Sequence, residues 1–239
     1  MKAKEIIRFL VLRTIGYFLV LLAIFGVLAT FGPVLYYQAQ FEIIKIRGIH
    51  YEIAAPNINK TVFAKSTGST TVSAGGDLGA LLTGSTQQIL IPKDTLFSIV
   101  IPKIGASSKV IPNVDPSNEQ QYLPLLQQGV AHASGSVFPG MKGNIYLFAH
   151  STDSFWDVGR YNAVFYLLKD LTIGDDVTVF FKNTRYNYVV YDTKIVSASD
   201  VSYLVNSQKG DKETLILQTC WPPGTTWKRL LVFAKPVGQ

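Results

Sequence analysis

Only one cysteine, Cys220, stands in the 239-residue chain. That excludes an intrachain disulfide framework and any zinc site built from several thiolates. Charge is sparse too, at 16% of residues. The formal net charge is +6, yet no stretch beyond the N-terminus forms a basic run interleaved with aromatic residues, so nucleic acid is not an expected partner. Acidic residues do not cluster as calcium requires: Asp175 and Asp176 alone make no such site, and no metal or cofactor is expected. No internal repeat is visible. What remains is a chain of 48% hydrophobic residues, long enough for one domain of ordinary size plus extra segments.

The first extra segment is apolar. From Thr14 to Tyr37 the chain carries no charged residue, and as a helix this run would be about 36 Å long, against about 30 Å of bilayer hydrocarbon. Tyr36 and Tyr37 stand where an aromatic belt would lie. The apolar region of a cleaved signal peptide normally runs only about 7–15 residues, so an uncleaved signal anchor is the better reading. Lys2, Lys4, Arg8 and Arg13 precede the run, whereas only Lys45 and Arg47 follow closely. That bias keeps residues 1–13 in the cytoplasm as a basic tail and sends everything after the span at 14–37 outside the cell.

Residues 54–88 are rich in Ser, Thr, Gly and Ala and poor in charged and aromatic residues. Such a segment buries too little apolar surface to offset its ordering entropy, so 38–88 is expected to be a flexible extracellular tether. Within it, 38–53 reads equally as an extension of the membrane helix or as a short strand.

A third texture begins near Ile89 and defines a domain over 89–239. Short β-rich runs are separated by turn residues: 96–104, 109–112, 144–150, 176–182, 185–197, 213–220 and 229–237. "FFKNTRYNY" reads as a hairpin turn. One helix is expected where Tyr161, Val164, Phe165 and Leu168 fall at i, i+3, i+4, i+7. Many short strands with few helices point to a closed barrel or sandwich rather than a βαβ sheet.

Three histidines are available for chemistry. His50 lies between anchor and tether and reads as an exposed linker residue. His132 falls in a loop-like stretch, "GVAHASGSVFPG". His150 ends an apolar run, where a side chain can project from a barrel rim. Cys220 ends another such run, and the loop "WPPGTTWK" returns the chain so that Arg229 faces Cys220 across its base. A thiolate needs a nearby base or positive charge. Histidine can shuttle the proton, and arginine can stabilise a developing oxyanion. Together these three suffice for acyl transfer through a thioester. Taken singly each has a plainer reading: Cys220 as a small buried hydrophobe, His150 as a hydrogen-bonded structural histidine, Arg229 as a surface residue. Trp156, Trp221 and Trp227 read as core or loop packing.

The ordered set of segments resembles the sortases, membrane-anchored cysteine transpeptidases of the bacterial surface. "ILQTC" (216–220) is similar to the family's TLxTC from Leu217 onward, with Ile216 in place of the first Thr, and Arg229 in "KRLLVFA" matches the family arginine. "GNIYLFAHS" (143–151) resembles the GNxxxxGHR segment and puts His150 on the catalytic histidine, with Ala149 for Gly and Ser151 for Arg. His132 matches an upstream, non-catalytic histidine. "FSIVIPKIG" (97–105) and "LKDLTIGDDVTVF" (168–180) resemble further family stretches. The likeness spans about 95–239, is nearest the class D or E groups, and accounts for anchor and tether as well.

The resemblance implies an eight-stranded sortase-type β-barrel with short helices, mainly β, behind an N-terminal transmembrane helix. Cys220 would attack the Thr–Gly bond of an LPxTG-like sorting signal, with His150 as general acid and base and Arg229 stabilising the oxyanion. Thr219 would be a pocket or supporting residue. Sorting-signal-bearing surface proteins and an amine from a cell-wall precursor or pilin would be the partners. Two other readings remain: an L,D-transpeptidase-like acyl-transferase acting on peptidoglycan, whose usual SxGC-type segment is absent here, and a non-catalytic surface-binding module on the same barrel.

Overall fold

A computed structural model describes residues 3–53, 70–72, 87–151, 164–223 and 225–238. Helix α1 spans Ala3–Arg47. Within it the described stretch long and apolar enough to cross a membrane is Ile7–Val27, with a mean hydropathy of 2.3 and none of it buried against the rest of the chain. The side chains of 28–37, which the sequence places in the span, lie outside the described set. At the other end, Gly48 adopts a left-handed φ of 59°. The Ile49 and Gly48 amides donate to the carbonyls of Ile44 and Lys45 at 3.0 and 3.3 Å, closing the helix in a Schellman arrangement.

Strand β1 (His50–Ile53) follows at once, so the 38–53 segment is helix first and strand second. It pairs in parallel with β3 (Gln87–Leu90), which also pairs with β2 (Thr70–Val72). Tyr51 and Ile53 of this small sheet pack on a buried cluster of Leu90, Val100 and Phe180 at the side of the barrel. Phe41 of α1 joins the main core, and Lys169 Nζ donates to Gln38 Oε1 at 3.1 Å. Helix end and β1 therefore rest on the barrel. Residues 54–69 and 73–86 of the expected tether lie outside the described residues, as does Tyr161.

The barrel closes in the order β10-β11-β9-β8-β4-β5-β6-β7. Its strands are β4 (Phe97–Ile101), β5 (Ala106–Val114), β6 (Val130–Ala133), β7 (Gly143–Phe148), β8 (Asp176–Phe181), β9 (Thr184–Ser197), β10 (Glu213–Trp221) and β11 (Lys228–Pro236). Seven coincide with the runs read from sequence. The eighth, β6, corrects the loop-like reading of the His132 stretch. It is four residues long, and its histidine is fully buried because both ring nitrogens find partners. Nε2 lies 3.1 Å from the Val137 carbonyl and 3.0 Å from Ser136 Oγ, and Nδ1 accepts the Asn113 amide at 3.4 Å. The ring stacks on Phe138 at 4.4 Å.

The β8–β9 turn has positive φ at both Lys182 and Asn183 (48° and 63°), the geometry of a two-residue hairpin loop. The expected 161–168 helix is instead a turn at Val164–Phe165 followed by a 3₁₀ helix, Tyr166–Asp170. Phe165 and Leu168 are buried as the apolar spacing demands, the first just before and the second within a five-residue 3₁₀ turn rather than an α-helix.

Alternation along the strands sorts the core into two layers. Leu215 and Leu217 of β10 join Ile99, Val110, Leu147 and Val232 inside the barrel. Ile216 belongs to a second layer on the outer face with Phe148, Leu231 and Phe233. Two short helices help cover that face, α2 (Glu119–Leu126) and α3 (Ser202–Val205). Asn118 caps α2 by accepting the Gln121 amide at 3.2 Å. Asp200 holds the start of α3, accepting from the Ser202 amide at 3.1 Å and hydroxyl at 2.6 Å.

Candidate active site

The two strands that close the barrel set the site. In the antiparallel β10–β11 ladder Cys220 is the register partner of Arg229. In the parallel β7–β10 ladder Gln218 is the partner of Phe148, and the pairing continues one step further. The Ala149 amide donates to the Gln218 carbonyl at 3.2 Å, and Thr219 Oγ1 donates back to the Ala149 carbonyl at 3.2 Å. Two residues beyond Gln218 and Phe148 stand Cys220 and His150. Because side chains alternate with a period of two, Ile216, Gln218 and Cys220 share one face of β10, with His150 on one flank of Cys220 and Arg229 on the other.

All three half-buried side chains line one cleft of about 330 Å³. The sequence placed them on a barrel rim; the structure places them at the strand ends but on the outer face, since Leu215, Leu217 and Thr219 take the inward positions. Tyr146, Phe148 and Gln218 form the floor. The walls come from residues around Ser117 with α2, and from Ala198 to Leu204; Thr225 and Thr226 form a lip from the β10–β11 loop. Arg229 Nη1 donates to the carbonyls of Thr226 and Lys228 at 3.0 and 3.1 Å, which fixes the guanidinium at the base of that loop.

Two ionised groups shape the field. Burial pushes the Tyr146 phenol well above its ordinary value, the Arg229 cation opposes that shift, and Asp200 adds to it. The phenol is therefore a neutral donor at any physiological pH. Hydrogen bonds from Ser202 hold the Asp200 carboxyl below the usual carboxylate range. The cleft presents a fixed cation beside Cys220 and an anion on the far wall.

The other candidates lie elsewhere. His50 heads β1. His132 is buried in β6, and that burial lowers its pKa, partly offset by its bond to the Val137 carbonyl. Thr219 is 2% exposed and does not line the cleft; its hydroxyl ties β10 to the residue before His150. Ser151, next to His150, is buried. Trp221 packs against the main core, Trp227 is 74% exposed rather than packed, and Trp156 lies outside the described residues. Among the described residues no group of three His, Cys, Asp or Glu could hold a metal ion; Asp175 is engaged by the Thr172 amide at 2.7 Å and by Lys103 at 3.5 Å.

Sequence reasoning missed Tyr146, Gln218 and Asp200. The first two carried a signal, since they lie at even spacing from His150 and Cys220, beside the apolar odd positions Ile145, Leu147, Leu215 and Leu217. Asp200 carried none.

Comparison with known proteins gives one answer. Residues 99–237 match the Sortase domain family. Sortase D of Bacillus subtilis (strain 168) is 29% identical over 140 residues, which are 57% of this chain and 61% of that protein. The match thus spans less than two thirds of the relative's length. Among solved structures, sortase C-1 from Actinomyces oris is 25% identical with a TM-score of 0.50, covering 62% of this chain and 77% of its own. The Clostridium perfringens Sortase D5 transpeptidase is also 25% identical, with a TM-score of 0.48 over 61% and 80% of the two chains.

Proposed function

Given that the chain belongs to the sortase family of cysteine transpeptidases, we propose that it cleaves an LPxTG-like sorting signal at Cys220 and transfers the acyl group to an amine at the cell surface. The observation that carries this reading is the row His150–Cys220–Arg229 across three adjacent strand ends, open to one cleft.

The Cys220 thiolate attacks the threonine carbonyl carbon of the bound signal. The carbonyl π electrons move to oxygen, and the Arg229 guanidinium, already oriented by two loop carbonyls, stabilises that oxyanion. As the oxyanion collapses the Thr–Gly C–N bond breaks, and the leaving amine takes a proton from His150. The product is a Cys220 thioester. An incoming amine from a cell-wall precursor or a pilin lysine attacks the same carbon and loses its proton to His150. Collapse then forms the new amide and releases Cys220. Thr219 acts in support, because its hydroxyl fastens the strand end bearing Cys220 to the chain bearing His150.

The domain plan follows the same reading: a basic cytoplasmic tail at 1–13, a signal anchor at 14–37, a tether over 38–88 whose first part docks on the barrel, and the catalytic domain at 89–239 outside the cell. The test is a trapped intermediate. Incubating the full chain in detergent micelles with an LPxTG peptide should add the acyl mass to Cys220, and hydroxylamine should release it as the hydroxamate. No adduct on the wild type, or equal turnover by Cys220→Ala, would overturn the proposal.

A further inference from the structure

The cleft floor beside the trio carries two polar groups among apolar side chains, the Tyr146 hydroxyl and the Gln218 carboxamide. One row back from Cys220 stands Gln218, whose register neighbours are Phe148 on β7 and Leu231 on β11. The row beyond holds Ile216 between Tyr146 and Phe233. A carboxamide set among these side chains costs free energy unless its polar atoms are satisfied. Half of it is: the buried Tyr146 hydroxyl donates to Gln218 Oε1 at 2.5 Å. The phenol stays protonated for the reasons given above, so it remains a donor and turns the amide oxygen toward itself. The opposite end of the carboxamide, Nε2 with two protons, faces away from Tyr146. Among the described residues no protein acceptor pairs with that nitrogen, and Gln218 lines the cleft. Along a strand two residues span roughly 6.6 Å, about two residues of an extended peptide whose scissile carbonyl sits at Cys220.

We infer that Gln218 is a specificity-determining residue for the acyl-donor peptide: its carboxamide nitrogen donates to an oxygen of the peptide about two residues from the scissile carbonyl, and Tyr146 is the positioning residue that aims it. The inference rests on the acyl-transfer reading above. A donor built into an apolar floor acts mainly by exclusion, because a ligand lacking the acceptor leaves the amide desolvated and unpaired. The acceptor is a main-chain oxygen one to two residues before the scissile threonine, or the side chain at the variable position next to it.

The experiment compares the wild type, Gln218→Glu, Gln218→Leu and Tyr146→Phe as full chains in detergent micelles, with an LPxTG peptide and hydroxylamine. Gln218→Glu keeps an acceptor for the Tyr146 hydroxyl while removing both donors. KM is expected to rise about tenfold in both Gln218 variants and by a smaller factor in Tyr146→Phe. Alkylation of Cys220 by iodoacetamide should proceed at the wild-type rate in Gln218→Leu and Tyr146→Phe, which shows the nucleophile and its surroundings intact. If the difference persists for a peptide with alanine at the variable position, the acceptor is a main-chain carbonyl; if it vanishes, a side chain supplies it. Unchanged KM in both Gln218 variants, with the wild type turning over, would overturn this inference alone. A wild type that forms no thioester would remove the underlying reaction as well.

Discussion

Thr219 Oγ1 donates to the Ala149 carbonyl across the parallel β7–β10 pair at 3.2 Å, one residue from Cys220 on one strand and one residue from His150 on the other. The bond is buried, and it lies where the two strands are about to part. Replacing Thr219 by valine keeps the shape and leaves a buried carbonyl with one partner fewer, which costs about 1–3 kcal/mol. The variant should unfold at lower urea and turn over more slowly, because the spacing of His150 and Cys220 loosens. Thr219→Ser should retain both properties. Equal activity in the valine variant would remove Thr219 from the mechanism.

Among the described residues Arg229 is held by the carbonyls of Thr226 and Lys228 and by no carboxylate, so in the proposed reaction its charge is available to the oxyanion. Arg229→Ala should lower kcat for hydroxylaminolysis by about 10²–10³-fold, the usual effect of deleting an oxyanion donor. Arg229→Lys keeps the charge but not the planar fork, and should fall between the two. Single-turnover rates of thioester formation give the comparison directly; a loss confined to KM would point to peptide binding instead.

Because Cys220 is the only thiol of the chain, it reports topology without mutagenesis. A membrane-impermeant maleimide added to intact cells should label it if the N-terminus is cytoplasmic and the barrel external. Labelling only after lysis would reverse the orientation.

His132 should stay neutral to acid. Burial lowers its folded pKa below the unfolded value of about 6.5. A group with a depressed folded pKa that is neutral when folded makes the unfolded state the better proton acceptor. Its contribution to stability is therefore complete above about pH 6.5 and declines as pH falls below that value. Thermal unfolding from pH 8 to pH 5 should show the decline, and the His132 ring resonances should not titrate near 6.5. A ring that titrates at or above 6.5 would contradict the buried pairing.

Gly143 opens β7 at a φ of 118°, and a Cβ there would lie 2.5 Å from the Ser207 carbonyl. Gly143→Ala should cost a few kcal/mol through backbone strain and the forced retreat of the α3 turn. The melting temperature measures it, and an unchanged value would show that the turn yields freely.

Much of this architecture is written in short-range patterns. The runs that became β4, β5 and β7–β11 announce themselves by β-branched and aromatic residues between turns, and the Lys182–Asn183 hairpin by its polar pair. The Cys220–Arg229 pair follows from loop length alone. Strand β6 did not show, because four residues centred on a histidine look like a loop until Val137, Ser136 and Asn113 are found waiting for the ring nitrogens. The contact of β7 with β10 did not show either. It is a parallel pairing between segments far apart in the chain, and nothing in "NIYLFAH" names "LILQTC" as its neighbour. Without it His150 is placed at a strand end but not beside Cys220, and the face that carries the trio stays undecided. The cleft walls were equally hidden: α3 is a single turn fixed by Asp200, too brief to leave a periodic signature.

The parallel closure also makes the site depend on the whole barrel. Cys220 gains its histidine only when β10 lies against β7, and its arginine only when β11, the last barrel strand in chain order, has zipped onto β10. On the proposed reading the final strand completes the trio, so a chain whose barrel has not closed lacks the Cys220–Arg229 pair.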